Sequence, residues 1–172
     1  VKQAIERTAS RTVAEPLKKY AGAVRLSDNL THLPLFAGNA IEPLPDYTDI
    51  IARITEDVRR AEHYIQLEYY ILALDDATEP LFAALEEAAG RGVEVRVLYD
   101  AIGVRKFPRK KEMVTRMVEA GIDAHAMLPL HQPGKKYTRP DLRNHRKLVV
   151  VDGVVGYTGS LNMIQRDYHR KD

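Results

Sequence analysis

Between Asp46 and Met127 the apolar residues switch from a period near 3.6 to a period of 2 three times over, and no other property of the chain narrows its fold as much. Ile50, Ile51, Ile54 and Val58 share one side of a helix over 46–60, with Asp46 as its cap. His63 to Leu72 then reads as a strand. Leu81, Phe82, Leu85 and Ala89 mark a second helix over 76–89, stopped by Gly90 and Gly92. Val93, Val95 and Val97 alternate into a strand ending at Tyr99-Asp100, a third helix follows over 108–120, and Ile122 to Met127 closes the series. Ile41 to Leu44 is expected as a further short strand. Strands separated by helices predict an α/β fold, a mixed β-sheet flanked by helices, with ligands gathered at strand ends.

The 172 residues, 45% of them hydrophobic and 29% charged, are enough for one core of ordinary domain size. The expected division is a helical arm or linker over 1–38, interrupted by Pro16, and a folded domain over 39–172. A net charge of +2 names no polyanionic partner by bulk attraction. With no cysteine there is no disulfide framework, thiolate nucleophile or cysteine-rich zinc site. No apolar run approaches the roughly 18 residues of a spanning helix. The chain starts without Met and ends on Arg170-Lys171-Asp172, so a piece of a longer protein is expected.

The chemistry concentrates in residues 144–162. Two apolar runs flank Asp152-Gly153, a two-residue hairpin signal. With those two residues as the turn, Val151 faces Val154, Lys147 faces Thr158 and His145 faces Ser160. His145 and Lys147, two apart, point to one face of a strand, and Asn162 lies just beyond Ser160. An imidazole, an ammonium, a hydroxyl and an amide in one patch suit a phosphodiester: the imidazole attacks phosphorus while the other groups stabilise charge on its oxygens, with no metal or cofactor required. Asp152, at the turn, is about 23 Å of strand away from His145. It is therefore expected to be a turn and packing residue, and the carboxylate that orients the imidazole must come from elsewhere.

The stretch resembles the HxKxxxxD signature of the phospholipase D superfamily, followed by Gly-Ser-x-Asn: His145, Lys147, Asp152, Gly159, Ser160 and Asn162 stand in that order and spacing. The strand Gln66 to Ile71, the segment Gly92 to Asp100 with Ile102-Gly103, and Arg143 to Lys147 resemble bacterial cardiolipin synthases. That resemblance implies a phospholipase D-like half-domain, the first half of a transferase that moves phosphatidyl between two phosphatidylglycerol molecules and releases glycerol. It implies His145 as the nucleophile that becomes a phosphohistidine, Lys147 and Asn162 on phosphate oxygens, and Ser160 assisting. It also implies a second such motif, from sequence beyond Asp172 or from a homodimer mate, and a parent protein at the bacterial plasma membrane. On this reading the isolated monomer, without a second motif, is inactive and nucleic acid is not its partner. Two alternatives stay open: a homodimeric phosphodiesterase or nuclease of the same superfamily, and a non-catalytic fragment.

Other features carry less. Glu68, in an apolar strand, is a candidate partner for a catalytic group, or else pairs with an Arg or faces solvent. Arg105 to Lys147 holds twelve basic residues against four acidic ones, a local excess fit for anionic head groups. Residues 128–142, with Pro129, Pro133, Gly134 and Pro140, form a long loop suited to substrate gating. His32, His63, His125 and His131 show no ligand spacing, and His169-Arg170-Lys171 repeats the opening of the motif by coincidence.

Overall fold

The computed structural model describes residues 15–31, 38–129 and 139–168. The chain divides into two units, Val1–Pro43 and Leu44–Asp172. In the first, a 3-10 turn over Glu15–Tyr20 runs into helix α1, Ala21–Thr31, whose Leu26 and Leu30 are exposed. Among the described residues no helix is long and apolar enough to cross a membrane.

Residues 38–46 form neither helix nor strand. Ile41 to Leu44 forms no strand, and Ile41 is 92% exposed. Pro43 and Pro45 remove two of the backbone donors that a ladder there would need. Helix α2, Tyr47–Arg60, starts where the Asp46 carboxylate accepts from Thr48 N (2.8 Å) and Asp49 N (3.3 Å). Its buried stripe is Ile51, Ile54, Thr55 and Val58, and the two fully covered side chains, Ile54 and Val58, contribute about 1.5–3 kcal/mol each. Helix α3 spans Glu79–Gly90 and α4 spans Lys110–Glu119; the chain turns after them at Gly92 and Gly121, both at positive φ.

Five strands form one mixed sheet in the order β3-β2-β1-β4-β5: β1 is Tyr64–Tyr69, β2 Glu94–Asp100, β3 Asp123–Met127, β4 Lys147–Val151 and β5 Val155–Thr158. β1, β2 and β3 run parallel; β4 is antiparallel to β1, and β5 to β4. The mixed sheet with helices predicted by the alternating periods is the fold that forms. One row across the sheet joins Ala124, Val97, Leu67, Val149 and Tyr157. This face makes the core, with Ile65, Tyr69, Val95, Tyr99 and Val151 buried beside that row. The opposite face carries Gln66, Arg96, Leu98 and Leu148, all exposed. That two-sided pattern is why the strands alternate in sequence although three of them are parallel.

The hairpin departs from its expected register by one residue: Val151 pairs with Val155 and Leu148 with Thr158. Asp152 and Gly153 do occupy the turn at φ +52° and +69°, closed by Val154 N donating to Val151 O at 3.0 Å. The turn is also bound to β1, because Asp152 N donates to Tyr64 O at 2.9 Å. Val154 is left outside the ladder, 86% exposed, as a bulge residue. A slip of one residue moves side chains to the opposite face, so Ser160 does not stand across from His145.

Candidate active site

Lys147 begins β4 on the core face, opposite Tyr69, and only 4% of it is exposed. Its ammonium lies 2.9 Å from His145 Nδ1 and donates to His145 O at 2.8 Å. The imidazole is exposed and packs on the Tyr70 ring with centroids 4.7 Å apart, while the ammonium sits 5.6 Å from the centre of that ring. No acidic side chain pairs with Lys147 among the described residues. Burial without a counter-charge pushes its pKa below the usual lysine value. A buried, uncompensated cation beside an exposed imidazole is a ready seat for an anion.

The contact also fixes a proton. An ammonium can only donate, so Nδ1 is the acceptor and a neutral His145 carries its hydrogen on Nε2. Attack through Nε2 needs the opposite tautomer, with a carboxylate on Nδ1. Among the described residues no carboxylate bonds to this ring.

Two contacts that strand order brings together, and one within the segment itself, hold the residues before Lys147. Asn144 donates from Nδ2 to Glu68 on β1 and accepts from Arg146 N at 3.1 Å. Glu68 thus meets an amide next to His145 rather than an arginine, and does so half-buried on the solvent-facing side of the sheet between Leu98 and Leu148. Arg143 donates from Nε and Nη2 to Asp100, each at 2.9 Å, and this carboxylate, fully buried at the end of β2, also accepts from Ile102 N and Gly103 N. Removing one partner of such a buried pair costs about 3–5 kcal/mol. No sequence motif marks Asp100, Asn144 or Tyr70 as a site residue, and Arg143 takes a role only through the basic excess. The available signal was Asp100 at the carboxyl end of a parallel strand.

Ser160 and Asn162 lie elsewhere. After β5 the chain returns to the end of β1, where Met163 bridges Leu72 in parallel fashion. Asn162 Oδ1 accepts from Ile71 N at 3.3 Å and its Nδ2 donates to Tyr168 OH at 3.0 Å. Ser160 and Asn162 line a cavity of about 300 Å³ that does not include His145 or Lys147. Among the described residues no hydrogen bond joins the two pairs. They flank consecutive residues of one strand end, Tyr70 and Ile71.

Asp152 grips β1 from the turn. Its carboxylate accepts from Glu62 N (2.9 Å), His63 N (2.9 Å) and Tyr64 N (2.8 Å). Burial raises its pKa, but the three amides outweigh that and hold the carboxyl below the usual aspartate value. The folded pKa is therefore the lower one, so the stabilisation is complete above the ordinary carboxylate range and is lost as pH falls through the lowered value. Asp152→Ala is expected to cost about 1–2 kcal/mol at neutral pH, allowing for partial exposure. Urea midpoints should differ between the two proteins at pH 7 and converge in acid. Equal midpoints at pH 7 would contradict the role.

The basic excess is partly neutralised. Arg109 pairs with Glu112 and Glu79, Arg116 with Glu86 and Glu79, Arg139 with Asp141, and Arg143 with Asp100. Arg105, Lys106, Lys110, Lys111 and Arg146 have no acidic partner among the described residues. His63 gives its backbone N–H to Asp152, and His125 meets Asp123 at the surface. Lys135, Lys136, His32, His131, His169 and the 132–138 part of the expected gating loop lie outside the described residues.

Known proteins resemble this chain over most of its length. The family model described as cardiolipin synthase, phospholipase D-like domain, matches residues 54–172. The chain is 37% identical over 162 residues to the cardiolipin synthase of Alkalihalophilus pseudofirmus, covering 92% of this chain and 31% of that one. It is 36% identical over 135 residues to cardiolipin synthase A of Proteus mirabilis, covering 78% and 28%. It thus spans about a third of the length of these relatives. In fold it is similar to NucT from Helicobacter pylori, with a TM-score of 0.53 and 15% identity over 74% of this chain and 76% of the other. The chain belongs to the cardiolipin synthase family of phospholipase D-like domains.

Proposed function

We propose that this chain carries one half of a site that moves phosphatidyl from one phosphatidylglycerol to another, giving cardiolipin and glycerol through a phosphohistidine on His145. The observation that carries the reading is the buried Lys147 ammonium, unpaired by any described acid and in contact with an exposed imidazole. The family to which the chain belongs supports lipid as the substrate.

In the first step His145 Nε2 forms a bond to phosphorus as the bond to the glycerol oxygen breaks. The departing oxygen takes a proton from the imidazole of a second motif. That motif is supplied by sequence outside this chain or by a second copy. Lys147 leaves Nδ1 for a phosphate oxygen, and a carboxylate from outside the described residues holds the Nδ1 proton. In the second step the second imidazole takes a proton from the acceptor hydroxyl, whose oxygen bonds to phosphorus as the P–N bond breaks. Asn162 and Ser160 supply neutral donors to the phosphate, for which Asn162 releases Tyr168. The parent protein works at the bacterial plasma membrane, where Arg105, Lys106, Lys110, Lys111 and Arg146 favour an anionic surface by about 1 kcal/mol per well-placed charge. A single copy of the chain is inactive because it lacks the second imidazole.

The test uses the full-length parent and phosphatidylglycerol labelled at phosphate. A phosphoramidate survives alkali and is broken by acid, so an alkaline quench should recover label on the His145 peptide. Label on a different residue, with none on His145, would overturn the mechanism. Cleavage of single-stranded DNA without lipid transfer would overturn the substrate class.

A further inference from the structure

The cavity beside the candidate active site also holds Asp46, Tyr47 and Arg166, which the transfer chemistry has not used. Tyr47 and Asp46 at the start of α2 form one wall, Ser160 and Asn162 another, and Arg166 and Tyr168 a third. The walls are braced: Tyr47 OH donates to Asn162 O at 3.4 Å, Asn162 Nδ2 to Tyr168 OH at 3.0 Å, and Gln165 N to Asp75 Oδ2 at 2.8 Å just before Arg166. Arg166 is exposed, and among the described residues it forms no ion pair. Asp46 accepts the amides of α2 through Oδ1 alone, which leaves Oδ2 for a hydroxyl.

A guanidinium, a carboxylate and three hydroxyl-bearing residues lining one cavity match a ligand with an anionic phosphate and neighbouring alcohols. A bare anion matches less well, because Asp46 repels it. The place is also suitable. Tyr168 packs with Tyr70 against Ile71, Ala73 and Ile164, and Tyr70 carries His145. One small aromatic and aliphatic cluster therefore separates the cavity from the imidazole. In transfer between two phosphatidylglycerols, two phosphates must be held a glycerol's length apart, one reacting and one not.

We propose that this cavity holds the phosphoglycerol group of the acceptor lipid, with Arg166 on its non-reacting phosphate and Asp46 accepting from a glycerol hydroxyl. The assignment rests on the function proposed above and adds to it the residues that select the acceptor.

The experiment offers the full-length parent two acceptors, phosphatidylglycerol in vesicles and free glycerol, with labelled phosphatidylglycerol as donor. Arg166→Gln should lower the preference for the lipid acceptor at least about tenfold, since a charge-assisted contact is lost, and Arg166→Lys should restore part of it. Glycerol 1-phosphate should compete with the lipid acceptor in the wild type and about tenfold more weakly in Arg166→Gln. An unchanged preference, or equal inhibition of both proteins, overturns the assignment. Inorganic phosphate competing as well as glycerol 1-phosphate overturns the part assigned to Asp46. Absence of label on His145 in the wild type is a separate result, which counts against the proposed function and not against the cavity alone. Because Arg166 is exposed and unpaired among the described residues, its substitution leaves the folded core intact.

Discussion

His145→Gln in the full-length parent is expected to reduce phosphatidyl transfer by at least about 10³-fold, measured as release of glycerol from phosphatidylglycerol. Gln has no nucleophilic nitrogen, so no covalent intermediate can form and the two-step route is closed. The substitution is mild for the fold. The ring is exposed, and the tie between Lys147 and position 145 includes a bond to the backbone carbonyl, which Gln retains. Unfolding by urea should therefore be nearly unchanged while activity falls. Retention of about a tenth of the activity or more would mean that the imidazole is not the attacking group.

Gly103→Ala should destabilise the fold strongly. A Cβ built at this position lies 2.0 Å from Tyr70 O and 2.9 Å from Tyr70 C, both backbone atoms with no rotamer to yield. Gly103 cannot retreat freely, because its own N–H donates to Asp100 at 2.9 Å within the buried pair with Arg143. Forced overpacking of this kind costs about 2–4 kcal/mol. The displaced residue is the one whose ring supports His145, so any protein that does fold should also show a shifted His145 resonance. A urea midpoint equal to that of the unmodified protein would show that the loop after β2 moves freely, contrary to this packing.

The parts of this fold that were legible in the sequence are those set by neighbours along the chain. The cap of α2 at Asp46, its Ile51-Ile54-Val58 stripe and the alternation of Val95, Val97 and Tyr99 each follow from local backbone geometry and a single buried face. The Ile41–Leu44 expectation failed for a related reason: apolar character was present, but Pro43 within the segment and Pro45 just after it decided against a ladder. The hairpin turn was legible and its register was not. Asp152-Gly153 fixes the reversal, whereas the position of Val154 depends on the hold that Asp152 takes on Glu62, His63 and Tyr64, some 90 residues earlier.

The candidate site divides in the same way. His145 and Lys147 are neighbours at a spacing of two, so their proximity was implicit in an extended segment. Glu68 with Asn144, Asp100 with Arg143, and Tyr70 beneath His145 arise only because β1 lies between β2 and β4 in the sheet. A count of charges could not show that Arg109, Arg116, Arg139 and Arg143 are matched by acids, since pairing depends on distance and not on composition. By itself, then, the sequence determined the strands and helices, the turn, and the imidazole and ammonium that share its neighbourhood, because local dihedral preference and hydrophobic period act over a few residues. Tertiary structure alone decided which strand lies beside which, that Lys147 is buried with no acid paired to it among the described residues, and that Ser160 and Asn162 line a separate cavity with Arg166. Those outcomes depend on burial and contact between segments far apart in the chain, which no short-range pattern encodes.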